Sequence, residues 1–516
     1  MSSAMRRAGC ALISSLALLA IAAPPALANP DGRAVAVQSL ANGAKRITYR
    51  IGPFKVIPGQ NEIGVEPVME KPQVDGYFTR VRPDLTYLDG RVPGVDVIHL
   101  HHGVWLNLSR RDATAPFLPE RFMAAGEEKT RLRLPRGYGY PVKATDGLLL
   151  NHMIHNLTPI PTQVYMAYQV DFVPADSRAA RGIRPVRPIW MDVHNGSAYP
   201  VFNVQKGSGE KGRYTYPNDA GNPYLNGSKR NEWVVDRPGV LVATAGHLHP
   251  GGLYTDLRVR RRGARIRPSS RRNAPQGRGS TAHLFRSVAK YYEPAGAVSW
   301  DVSMTGTRPD WHVKLRKGDV LSTSATYDTT RASWWESMGI MVAYMADRGP
   351  GRDPFKRRVN FKGSVTHGHL PENDNHGGGP TNLPDARLLP DGADNPGSND
   401  LVDFKYQFGD LSLGAPAGLP PVIHAGQTLT FRDAGDNAKG VYHSITSCKP
   451  PCNRSTGVAY PIADSNVQFE SGTLGTASPP ATGALQWTTP DNLAPGTYTF
   501  FCRIHPFMRG SFRVKQ

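Results

Sequence analysis

The chain has 516 residues, 39% of them hydrophobic, with a mean hydropathy of −0.40, 53 glycines and 45 prolines. That content supplies several cores, favours turn-rich β structure over long helices and excludes a collagen-like repeat. Sixty-one basic against 42 acidic side chains leave a formal net charge of +19, which favours contact with anionic surfaces such as cell-wall polymers or lipid head groups.

Residues 1–28 have the order of an export signal. Arg6 and Arg7 form a basic start, CALISSLALLAIA (10–22) an apolar run, and Ala26-Leu27-Ala28 a cleavage site. The run is short for a membrane span, and no other stretch is apolar enough to cross a bilayer. The mature chain is therefore expected outside the cytoplasm, secreted or in the cell envelope, through either general or twin-arginine export.

Alternating apolar residues recur in VYMAYQVDFV (164–173), VLSTSATY (320–327), TLTFRD (428–433) and TYTFFC (497–502), separated by turn formers. This predicts an all-β chain of antiparallel sandwiches. The expected units are 30–175, 185–347 and 401–516, with an internal boundary in PADSRAARGIRPVRP (174–188) and a polar linker at 348–400. WWESMGIMVAYMA (334–346) reads as helix or strand alike. RVRRRGARIRPSSRRNAPQGRG (258–279) holds nine arginines without helical period or interleaved aromatics; it reads as a solvated loop, and no nucleic-acid partner is expected.

The 16 histidines are clustered: three in HLHH (99–102), two in NHMIH (His152 and His155), two in HLH (His247 and His249). On a strand, residues i and i+2 share a face, so His247 and His249 can address one ion, as can His99 and His101. The adjacent pair His101 and His102 needs a kink. His367, His369 and His376 lie in the linker, where they read as linker residues or as a metal-loading arm.

Cys448 and Cys452 are close enough to pair in an oxidising compartment, which leaves Cys502 single. A strand (TYTFFC) ends in Cys502, a loop carries His505 and Met508, and GVYHSITS (440–447) supplies His443 on another strand. One thiolate, two imidazoles and a weak thioether form the blue-copper donor set.

On those residues, 401–516 resembles a cupredoxin of the plastocyanin and pseudoazurin type. The resemblance implies a Greek-key sandwich, a type 1 copper held by His443, Cys502, His505 and Met508, and electron transfer with a redox partner. The CKPPC insert departs from that pattern; its cysteines form a tight disulfide loop or add two copper-binding thiols. Residues 40–347 resemble the copper core of peptidylglycine α-hydroxylating monooxygenase and dopamine β-monooxygenase, through HHGVWLN, MIHNLTP, AGHLHPGG and TYDTTRASWWESMGIMVAYM. That likeness implies two jelly-roll-like sandwiches and two coppers across a water-filled gap. His101, His102 and His155, with His152 as competitor, would hold an electron-transfer copper. His247, His249 and Met338, with Met341 as competitor, would hold a dioxygen-binding copper. The implied activity is dioxygen-dependent hydroxylation, with electrons from the cupredoxin or a small reductant. Two other readings stay open: an electron carrier with a non-catalytic binding module, and a copper storage or delivery protein.

Overall fold

The computed structural model describes residues 29–59, 63–197, 200–224, 229–267, 271, 273–368, 382–436, 440–452, 461–464, 466–475 and 483–516. The segment 1–28 and His369 and His376 lie outside the described residues. The chain is all-β, with short 3-10 turns between strands. No helix among the described residues is long and apolar enough to cross a membrane.

Alternation sets the first pair of sheets. Along Lys45–Val56, Ile47, Tyr49 and Ile51 are buried while their neighbours are not, so one face of the strand leaves water. Lys45–Val56 pairs with Thr162–Pro174, which pairs with Gly76–Tyr87, all antiparallel. The facing sheet runs Gly64–Pro67, Leu148–Asn156, Ile98–Arg111, Pro119–Gly126. Phe78, Trp105, Phe122, Leu150 and Phe172 fill the space between.

In the second half, Arg184–Asp192, Ile340–Ala346 and Gly239–His247 form one antiparallel set. Val320–Asp328, Gly252–Arg260 and Thr281–Tyr291 form another. The ambiguous run 334–346 is two strands, Trp334–Ser337 and Ile340–Ala346. Ile340, Val342 and Tyr344 enter the core shared with the first half, and Met341, Ala343 and Met345 enter the second core. A strand buried on both faces carries no polar alternation, which is why its period was unreadable.

Residues 398–515 build two four-stranded sheets around Leu401, Phe431, Ile445, Phe500 and Phe512. The stretch before them is docked at both ends. Gly363–Val365 pairs with Val302–Thr307, and Arg513 donates to the carbonyls of Ala386 and Leu389 at 3.0 Å. The arginine-rich segment is partly anchored too: Arg261 bridges Asp319 and Asp353 at 2.7 and 2.9 Å.

A further apolar cluster joins the units. Tyr327, Trp300 and Trp334 pack in one group with Cys448, Cys452, Ile462, Val467 and Phe501. Arg503 donates to the Ser333 carbonyl at 2.6 Å, and its guanidinium lies 4.8 Å from the Trp334 ring centroid. The Ser333 amide donates to Glu470 at 3.1 Å, and Lys206 donates to the Val467 carbonyl at 2.5 Å.

The two N-terminal halves are pinned by Arg121, which donates to Asp112 at 2.8 Å and to Asn195 at 2.8 Å and lies 4.7 Å from the Trp190 ring centroid. Both Arg121 and Asp112 are buried. Arg121→Ala leaves a carboxylate buried without its cation, so the unfolding free energy should fall by about 3–5 kcal/mol in chemical denaturation.

Candidate metal centres

Cys502 follows the strand Gly496–Phe501 and is fully buried. The turn after it brings His505 back: the Met508 amide donates to the His505 carbonyl at 2.8 Å, and the Cys502 amide to the Met508 carbonyl at 3.2 Å. His443 approaches from the preceding part of the sheet, where it bridges to Leu474. One donor atom each from His443, Cys502 and His505 lie within 4.8 Å of one another. Met508 is buried in the same core.

The electrostatics favour a thiolate. Burial alone pushes the Cys502 thiol up, but the imidazoles of His505 and His443 hold it well below its ordinary range. The amides of Ser444 and His505 donate to the sulfur at 3.3 and 3.4 Å. His443 Nε2 pairs with Asp436 at 3.0 Å, and its Nδ1 has no hydrogen-bond partner. Asp436 is itself fixed by the amides of Asp403 and Phe404. Burial works to lower His443, yet the bond to Asp436 and the nearby Cys502 sulfur raise it to about 9. A soft sulfur, two imidazoles, an unpartnered ring nitrogen and a carboxylate orienting one ring fit copper. Cys448 and Cys452 form a disulfide. Arg509, fully buried, ties the ligand loop to that disulfide hairpin by donating to the carbonyls of Pro506 and Cys452.

The outer edge of His505 faces the N-terminal block. A Cβ on Gly59 would stand 1.4 Å from His505 Nε2, and Gly59 has φ +60°. Only glycine allows this approach. The Gly59 amide donates to the carbonyl of Asn156 at 3.0 Å, the residue after His155.

The N-terminal histidines converge. The register between Ile98–Arg111 and Leu148–Asn156 slips between Leu100 and His102, so His101 is the extra residue of a bulge. This kink lets the adjacent rings of His101 and His102 meet, Nδ1 to Nδ1, at 3.3 Å. The His101 ring centroid is 4.5 Å from that of His155 and 4.2 Å from that of His249. His99 Nε2 is 3.2 Å from His155 Nδ1. His102 turns to Asn151 at 2.9 Å. His247 Nδ1 bonds Glu128 at 2.9 Å, with ring centroids of His247 and His249 5.0 Å apart.

Sequence reasoning missed Glu127 and Glu128. They sit in a turn closed by the Lys129 amide donating to the Gly126 carbonyl at 2.9 Å. Gly126 is required by close approach, since a Cβ there would lie 2.5 Å from His247 Cε1. Donor atoms of His101, Glu127 and His249 lie within 4.8 Å of one another, as do those of Glu127, Glu128 and His247. Neither Glu127 oxygen has a hydrogen-bond partner, nor has His249 Nε2. Burial first, then Glu128, holds the Glu127 carboxyl well above its ordinary range. Burial likewise lowers His101, His155 and His249 well below theirs. Neutral imidazoles and an unpaired carboxyl in one buried group fit a cation.

Of the other candidates, His152 and Met341 stand apart from the cluster, whereas Met338 is tied to His249 through one hydroxyl. His152 is buried against the Phe54 ring, centroids 4.4 Å apart, and beside Gly64. Met338 packs in the first core, with its amide and carbonyl both bonded to the Tyr327 hydroxyl, which also accepts from the His249 amide at 3.3 Å. Met341 lies in the second core. His367 docks instead near the cluster, its Nε2 2.6 Å from the Glu128 carbonyl.

No protein-family model matches the chain, and no curated protein does. Among solved structures it is similar to a Cu-containing nitrite reductase from Thermus scotoductus SA-01, at 12% identity and a TM-score of 0.15. The match covers 55% of this chain and 59% of that one, so the chain spans less than two thirds of that neighbour's length.

His99 is fully buried, its Nδ1 2.9 Å from the Val95 carbonyl, and burial lowers it to about 3. The unfolded chain therefore takes up this proton first, near pH 6.5. The stability contribution is complete above that pH and is lost as pH falls toward 3. In denaturant titrations, His99→Phe should flatten the acid limb by about 1.4 kcal/mol per pH unit in this window.

Proposed function

We propose that this chain is an exported copper-dependent oxidoreductase. Its C-terminal site exchanges electrons, and its N-terminal histidine–glutamate cluster holds the metal at which substrate is oxidised. The observation that carries the reading is the pairing of two buried donor sets across one packed interface. His443, Cys502 and His505 form one, and His101, Glu127 and His249 the other. Export is supported by the basic, apolar and Ala-Leu-Ala order of residues 1–28 and by the Cys448–Cys452 bond. Electrons enter from a redox partner or a small reductant.

In the C-terminal unit, His443, Cys502, His505 and Met508 would hold a type 1 copper. Copper bound there supplies a one-electron carrier of low reorganisation. Asp436 fixes the His443 ring and its tautomer. The Ser444 and His505 amides moderate the charge on sulfur. Phe404, whose ring centroid is 4.9 Å from that of His505, screens the site from water.

In the N-terminal block, His101, Glu127 and His249, with His155 beside them, would hold the second metal. Glu128 orients His247, and His247 and His249 leave the same strand end. The space beside this cluster is walled by Trp300, Trp334, Ser444, Arg503 and Ile504. Arg503 and Ile504 are the two residues between Cys502 and His505, so the ligand loop of one unit forms a wall of the other's site. By resemblance, the reaction class is dioxygen-dependent hydroxylation.

Metal counting with optical and paramagnetic resonance spectra tests the proposal. Full-length protein should take up more than one copper and show an intense visible thiolate-to-copper band. Cys502→Ser should abolish that band while the N-terminal copper signal persists. His101→Ala combined with His249→Ala should do the reverse. A protein that binds copper only at Cys502 would leave an electron carrier with a non-catalytic N-terminal module.

Gly59→Ala offers a second check. The added methyl has no room beside His505 and meets an unfavourable φ, so the visible band should shift or weaken although no ligand has changed. An unaltered spectrum would show that the N-terminal block does not position His505.

A further inference from the structure

A cavity of about 260 Å³ opens between the two N-terminal halves, and His247 forms part of its wall. One half lines it with Arg80, Arg131 and Arg133, the other with Arg308. Among the described residues, no carboxylate lies within ion-pair distance of Arg131, Arg133 or Arg308, whereas Arg80 reaches Asp171 at 3.9 Å. Several polar atoms in the wall are buried without a hydrogen-bond partner: Arg80 Nε, Thr130 Oγ1, Thr244 Oγ1 and His247 Nε2. The remaining wall is apolar, with Met123, Leu132, Ile340 and Val342.

This combination is costly unless something binds. Arg133 and Arg308 stand at the exposed mouth, where water screens their repulsion, but the buried donors inside lose their hydration for nothing and the like charges around them remain uncompensated. An oxyanion relieves both, because a guanidinium offers paired donors at the spacing of carboxylate or sulfate oxygens, and the two threonine hydroxyls add donors. Inorganic phosphate would answer the charge and leave the apolar wall uncovered. The volume is below the roughly 300–1,000 Å³ of pockets for drug-sized ligands, which limits the ligand to a small molecule.

We infer that this cavity binds a small amphipathic oxyanion: a carboxylate or sulfate ester whose apolar chain or ring lies on Met123, Leu132, Ile340 and Val342. His247 joins the cavity to the histidine–glutamate cluster through Glu128. As the substrate class of the oxidoreductase the inference rests on the reading above; as a binding site it does not.

Calorimetric titration of the full-length protein without added copper separates the two. Octanoate should bind saturably, with an affinity that falls as salt is raised. Octanamide, which has the same chain and no charge, should bind at least about tenfold more weakly, the loss expected for a charge-assisted contact. Inorganic phosphate should also bind more weakly than octanoate. Arg131→Gln combined with Arg133→Gln should reduce octanoate affinity by about tenfold or more at an unchanged thermal midpoint, since neither side chain makes an ion pair that the fold needs. Thr244→Val should weaken octanoate more than octanamide, because a hydroxyl bond to a charged oxygen is the stronger of the two. Equal binding of octanoate and octanamide, tighter binding of phosphate than of octanoate, or wild-type affinity in the double arginine variant would each overturn the inference. Because no copper or dioxygen is present, failure of the redox reading leaves these outcomes unchanged.

Discussion

Glu127 lies in the interior beside three imidazoles with neither carboxyl oxygen hydrogen-bonded. Taking an ionised carboxylate out of water costs many kcal/mol unless a counter-charge receives it. Among the described residues, no lysine or arginine lies within ion-pair distance of Glu127, and the basic contact there is His99 Nε2, 3.8 Å away. Much of the N-terminal architecture serves to create this arrangement. The bulge at His101, the tight turn at Gly126 and the strand end at His247 each bend the backbone where a regular strand would carry a side chain away. The fold keeps this carboxyl protonated by burial, and a cation bound among these donors would take the place of that proton.

The C-terminal site obeys the same rule with the opposite bookkeeping. Its anion, the Cys502 sulfur, is met by two backbone amides and two imidazoles, and one of those imidazoles is met by Asp436. Charge is balanced locally, so the unit needs less from outside. What it takes from the N-terminal block is shape. Val467, Ile462 and Phe501 share a core with Trp300 and Trp334, and Arg503 and Glu470 cross the boundary to Ser333.

Legibility in the sequence followed distance along the chain. Cys502, His505 and Met508 occupy one turn, and a strand-loop-strand pattern announces that turn without any tertiary knowledge. His155 and His152 are three apart on one strand, so they point to opposite faces. Only the pairing partners decide between them: His155 stands opposite His99, and His152 opposite Gly64. Glu127 and Glu128 carried no period at all. Their signal was compositional, two acidic residues directly after the apolar strand PERFMAAG, where surface turns more often place glycine, asparagine or serine. The stretch 334–346 hid its strand character because each face met a different core.

The contact between Gly59 and the outer edge of His505 has an evolutionary reading. Modular proteins exchange domains freely when the boundary is a hydrated linker. Here the His505 imidazole is seated in a socket that tolerates no side chain opposite it. Recombination that replaced either unit alone would set an unmatched surface against His505, so the boundary between the units is a poor place to exchange them.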